Sequence, residues 1–159
     1  MDTVIRMDTV IHIMKQMIDF HTHVLFGVDD GPKTINQALE MLYEMKQQGI
    51  SHVVLTPHVN IKNFDKKDIQ ERNFHLLEKL AKRLEIKLYL GAEIYLPFKF
   101  PALPFENFTI GNKHVLLLEF SPLIDTPIFD HVYNLKHQGY QVVIAHIERY
   151  GYLTYDDYS

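Results

Sequence analysis

The chain has 159 residues, 47% hydrophobic and 23% charged, with a formal net charge of −4: a single globular domain large enough for an apolar core, with an acidity that disfavours a nucleic-acid surface. It contains no cysteine, which excludes disulfides and thiolate metal sites and leaves metal ligation to histidine and carboxylate. No apolar run approaches the ~18 residues of a membrane span.

Residues 1–16 repeat themselves, Met1-Asp2-Thr3-Val4-Ile5 returning as Met7-Asp8-Thr9-Val10-Ile11. The apolar stretch is short and interrupted by Arg6 and Asp8, which is not a signal-peptide pattern, and the segment reads as an extension before a domain that starts near Met17. A strand over 17–20 opens into His21-Thr22-His23. The Gly, Asp and Pro content of 27–32 marks a loop. A helix starts at Thr34, where Thr34 and Gln37 form a capping-box pattern. Ile35, Ala38, Leu39, Leu42 and Met45 give its apolar stripe and Gly49 its stop. A strand follows over 52–57. A second helix fits 66–84, with Ile69, Phe74, Leu77, Leu80 and Leu84 on one face, and feeds a strand over 87–92. Residues 97–113, broken by Pro97, Pro101, Pro104 and Gly111, read as an irregular excursion, with Phe98, Phe100, Phe105 and Phe108 capping the core or, alternatively, walling a substrate. A strand over 114–119 leads to a third helix with Thr126 as N-cap and Pro127 as its first residue. His131, Leu135 and Gln138 continue that helix to Gly139. A strand over 141–145 closes the pattern.

The strands are short, continuously apolar and linked by helices or the excursion, as in a parallel sheet buried on both faces. Four of them stop on a potential metal ligand, at His58, Glu93, Glu119 and His146, and the first opens into His21 and His23. Chemistry in parallel α/β folds collects at the carboxyl edge of the sheet. Ligands at so many different strand ends favour a (β/α) barrel over an open sheet, whose site gathers at one switch point.

His21 and His23 alternate, so both can face one ion, with Asp19 placed to orient them. Asp30 either supplies a carboxylate across the mouth or, with Asp29, serves as turn and helix-start charge. His58 is a ligand or a satisfied core residue. Glu93 and Glu119 end apolar strands, where an unpaired carboxylate pays a large desolvation penalty. Arg149 offers a planar fork to phosphate or pairs with Glu148. A sulfur-free His and carboxylate set suits Mn, Fe or Zn, and a centre of about two or three ions activates water and clamps a phosphoryl group. Phosphoester hydrolysis is the most economical reading. Tyr150, Tyr152, Tyr155 and Tyr158 read as packing aromatics.

The segments Asp19-Phe-His-Thr-His, Val28-Asp-Asp-Gly-Pro, Thr56-Pro-His, Gly91-Ala-Glu-Ile-Tyr, Leu118-Glu-Phe and Ala145-His-Ile-Glu-Arg-Tyr resemble the polymerase-and-histidinol-phosphatase (PHP) superfamily. Within it they are similar to the bacterial capsular and exopolysaccharide manganese-dependent protein-tyrosine phosphatases. The resemblance implies a distorted (β/α) barrel with divalent ions, manganese first and iron, zinc or magnesium as alternatives, on His21, His23, Asp30, His58, Glu93, Glu119 and His146. Arg149 would bind the phosphate as the catalytic residue. The implied substrate is phosphotyrosine on a protein partner, a bacterial tyrosine kinase of polysaccharide export, hydrolysed by a metal-activated water in the cytoplasm. Family members also supply a late Asp-x-His motif that this sequence lacks. The domain over 17–159 is therefore expected to be a PHP barrel of about five β/α units, shortened at its C-terminal side, with open strand edges that pair with another copy. A PHP phosphoesterase acting on a small phosphomonoester, and an inactive metal-binding remnant, are the competing expectations.

Overall fold

The computed structural model describes residues 17–153. The expectations for residues 1–16 and for Tyr155 and Tyr158 fall outside the described residues. Seven strands and three α-helices follow one another as β1 (Met17–Thr22), α1 (Ile35–Gln47), β2 (Ile50–Leu55), β3 (His58–Val59), α2 (Lys67–Ala81), β4 (Lys87–Leu90), β5 (Glu93–Tyr95), β6 (Val115–Glu119), α3 (Ile128–His137) and β7 (Gln141–Ile144). Every strand pairing is parallel. One sheet has the order β1-β2-β4 and the other β3-β5-β6-β7.

The two sheets share two chain runs. The run expected over 52–57 breaks at Thr56-Pro57, and the run over 87–92 breaks at Gly91-Ala92. Each then enters the second sheet, so His58 and Glu93 open strands β3 and β5 instead of closing the strands before them. Pro57 cannot donate to a ladder. Gly91 is closely approached: a Cβ there would lie 2.7 Å from Ile110 Cγ1. Backbone bonds carry the pairing through the break, from Thr56 N–H to Thr22 O at 2.8 Å, Gly91 N–H to Leu55 O at 2.9 Å and Glu93 N–H to Pro57 O at 3.1 Å. Five parallel runs thus lie side by side in chain order, with no reversal of the kind an open doubly wound sheet has. The described residues form a mixed α/β fold and no closed barrel, since β1 and β7 each have one strand neighbour.

The helices sit where their patterns put them. Thr34 Oγ1 accepts from Gln37 N–H, and Gln37 Oε1 accepts from Thr34 N–H, completing the capping box of α1. Helix α3 starts at Ile128, one residue later than expected. Thr126 does not cap it: the cap position falls to Pro127, which has no side-chain acceptor, while the Thr126 hydroxyl donates to Ile124 O at 3.0 Å.

Two cores follow from the two sheets. Leu42 and Leu77 from α1 and α2 meet Val53, Leu55 and Leu88. Leu116 and Leu118 of β6 meet Ile94, Phe120, Ile128 and Leu135, while Leu117 between them points to the opposite face, against Val54 and Ala145. This period-two split explains why β6 is apolar throughout. In the excursion Phe105 and Phe108 are buried in the second core, Phe100 packs against it and Phe98 is exposed, so three of the four aromatics build the cap. No helix among the described residues is long and apolar enough to cross a membrane.

Candidate metal centre

The centre is organised by Glu93. Its side chain is fully buried, and both carboxylate oxygens lack a hydrogen bond among the described residues. Imidazole nitrogens nevertheless surround it. His21 Nε2 and His146 Nε2 lie 3.2 and 3.0 Å from Oε1, and His23 Nε2 and His58 Nδ1 lie 3.2 and 3.0 Å from Oε2. These are hydrogen-bond distances without hydrogen-bond angles, so the rings are not aimed at the carboxylate. Ring nitrogens and oxygens converge on shared points instead. A buried carboxylate with no aligned hydrogen bond is costly, and cations between it and the imidazoles would satisfy every group at once. The donor set therefore fits divalent metal.

Three such convergences exist among the described residues: His21, Glu93 and His146; His23, Asp30 and His58; and His58, Glu93 and Glu119. In each the donor atoms lie within 4.8 Å of one another. All seven residues expected from sequence are brought to one rim. Asp30 is the most exposed of them, 3.8 Å from His58 Nε2. His146 follows β7 with φ of 53°, a left-handed conformation uncommon for a non-glycine residue and frequent at functional sites. Arg149 stands on the short turn after His146 with its side chain mostly exposed, 4.0 Å from Glu148, itself exposed. Such an exposed pair holds little energy.

Two orienting residues were not legible as such. His21 Nδ1 lies 2.7 Å from the hydroxyl of Thr56, which also accepts from Thr22 N–H. His23 Nδ1 lies 2.8 Å from Asp29 Oδ2, and Asp29 is fixed in turn by Gly31 N–H and His58 N–H. Anchoring one ring nitrogen leaves the other to face the centre. Asp19, expected to do this, accepts from the His21 backbone N–H instead, at 3.3 Å. The signals were present: a buried Thr56 at the end of an apolar strand needs a partner, and an aspartate two residues before a glycine favours a side-chain turn.

In the metal-free protein these contacts set the charges. Asp29 first, then Glu93, push His23 up to about 10. Burial works to raise Glu93, but His21 and His23 outweigh it and hold its carboxyl well below the usual range. Burial, then the charge of Glu93, raises Glu119. Because His23 holds its proton more tightly when folded, its contribution to stability is complete below its ordinary 6.5 and is lost as pH rises toward about 10. Glu93 contributes above its ordinary 4.5, and that contribution is lost as pH falls. Chelator-treated protein is thus expected to melt highest between about pH 4.5 and 6.5. A melting temperature that climbed steadily from there into the alkaline range would show that these pairs do not form.

A family model described as capsular polysaccharide synthesis, CpsB/CapC, matches residues 17–158. The chain is 35% identical over 147 residues to the tyrosine-protein phosphatase CpsB of Streptococcus agalactiae, covering 86% of this chain and 59% of that protein. It is 31% identical over 147 residues to the tyrosine-protein phosphatase YwqE of Bacillus subtilis, covering 84% and 55%. Among solved structures it is similar to one from work on Bacillus subtilis YwqE and Streptococcus pneumoniae CpsB, described as unique metal-dependent tyrosine phosphatases. That match has a TM-score of 0.63 and 24% identity, and covers 84% of this chain and 56% of the other. The chain spans a little over half the length of the curated relatives it matches. A family match across all the described residues, including the segments that build the rim, identifies the chain as a member of the CpsB/CapC capsular polysaccharide synthesis family.

Proposed function

We propose that this chain carries the metal-binding face of a protein-tyrosine phosphatase, a phosphoric monoester hydrolase linked to capsule or exopolysaccharide regulation. Its substrate would be phosphotyrosine on a protein partner, a bacterial tyrosine kinase, in the cytoplasm. The observation that carries the reading is Glu93, buried, without a hydrogen bond and faced by four imidazole nitrogens. The names of the relatives, tyrosine-protein phosphatases, support the substrate class.

His21, His23, Asp30, His58, Glu93, Glu119 and His146 would hold two or three divalent cations, manganese first and iron, zinc or magnesium as alternatives. When bound, such ions supply Lewis acidity and lower the pKa of water at neutral pH. The chain's own residues do the rest. Thr56 and Asp29 keep the rings of His21 and His23 from rotating away. Glu93, held anionic, offers one oxygen to each of two convergences. Arg149 presents paired N–H donors to the phosphoryl oxygens from the turn beyond His146. The consecutive order of the five runs supports the PHP-type (β/α) barrel, with β1 and β7 the edges at which it would close.

Phosphate release from a phosphotyrosyl peptide with added Mn²⁺, lost on chelation and restored by metal, is the expected result. Turnover that survives metal removal would sink the proposal. Preference for a small aliphatic phosphomonoester over the peptide would move the chain to another phosphoesterase activity.

A further inference from the structure

Strands β6 and β7 pair in register as far as Leu118 opposite Ile144, and their last backbone bond runs from Ala145 N–H to Leu118 O at 2.8 Å. Just beyond lie Glu119 and His146, which belong to different convergences that share Glu93. A side chain supplies the next rung. Tyr150 is 2% exposed, and its hydroxyl donates to Ala145 O at 2.7 Å while accepting from Phe120 N–H at 3.1 Å. Phe120 follows Glu119 and Ala145 precedes His146, so one phenol oxygen ties together the backbone beside two candidate ligands. The phenol is itself fixed. Its ring stands edge-on to Phe120 with centroids 6.0 Å apart, and its backbone N–H closes the short turn at Ile147 O.

We propose that Tyr150 is a positioning residue that sets the separation of Glu119 and His146, and through it the spacing of the cations those residues hold. The inference rests on the metal reading above. Metal–ligand distances tolerate only about 0.2 Å of error, and partners one shell removed from a metal typically change its affinity about 10- to 100-fold. A rung anchored on both sides has that leverage through the backbone, because the Tyr150 hydroxyl is engaged by Ala145 O and Phe120 N–H.

The test is a Co²⁺ titration of the whole chain, read by visible absorption bands and calorimetry, on wild type, Tyr150→Phe and Ile128→Val. Ile128 lies in the same core but contacts neither backbone anchor through a side-chain hydrogen bond. Y150F is expected to bind Co²⁺ at least about tenfold more weakly with shifted bands, while I128V, destabilised by its small cavity, keeps the wild-type affinity and spectrum. Y150F within about twofold of wild type with an unchanged spectrum would overturn the positioning role, as would an I128V titration altered like that of Y150F. If wild type takes up no Co²⁺, the metal reading itself fails and this inference falls with it. Should Y150F not fold, amide exchange at Phe120 in wild type decides. Exchange slowed by Co²⁺ supports the rung, and an unchanged rate overturns it.

Discussion

Glu93→Gln is expected to lower metal affinity and kcat/KM for a phosphotyrosyl peptide by at least about 100-fold, the upper end of what removing a mere orienting partner costs. The substitution is nearly isosteric, so the cores above and below should survive. What it removes is the negative charge shared by two of the three convergences. Glutamine also places an NH₂ group where an imidazole nitrogen and a carboxylate oxygen now converge, and that group cannot ligate a cation. Metal content by mass spectrometry and steady-state kinetics on the same sample check the result. An E93Q protein that kept the wild-type metal content and more than about a tenth of the activity would contradict the central role of this carboxylate.

Gly31→Ala is expected to destabilise the fold by about 1–3 kcal/mol, the usual range for forced overpacking, and to reduce activity at least about tenfold. The cause is close approach, not backbone conformation: a Cβ at Gly31 would overlap the carbonyl oxygen of His23 and press on Asp29 Oδ1 at 3.1 Å. The carbonyl belongs to the chain that carries one candidate ligand, and the aspartate orients that ligand's ring. Relief therefore has to move His23, Asp29 or the adjacent Asp30. Urea unfolding followed by kinetics tests this. A variant within about 0.5 kcal/mol of wild type would mean that the loop yields more cheaply than its packing implies.

Much of this arrangement was legible because buried parallel strands and capped helices have local signatures. The capping box of α1 needed only Thr34 and Gln37, and the candidate ligands announced themselves as polar residues at the ends of apolar runs. The breaks at Thr56-Pro57 and Gly91-Ala92 were not legible, although a proline and a glycine stood there. A single apolar run looks the same whether it stays in one sheet or passes between two, and the difference lies in which neighbours accept its N–H groups. Asp29 was likewise hard to separate from Asp30. The two adjacent carboxylates have the same chemistry, and only the fold turns one toward His23 and leaves the other at the rim. The cap of α3 failed because the helix starts one residue later than its local pattern suggests, which puts Pro127 instead of Thr126 at the cap position.

The broken runs have a mechanical corollary. His21 is carried by the three-stranded sheet, whereas His58, Glu93 and Glu119 are carried by the four-stranded one. Cations held by both sets would act as rivets across the joint between the two halves, so that part of their binding energy would become rigidity of the whole.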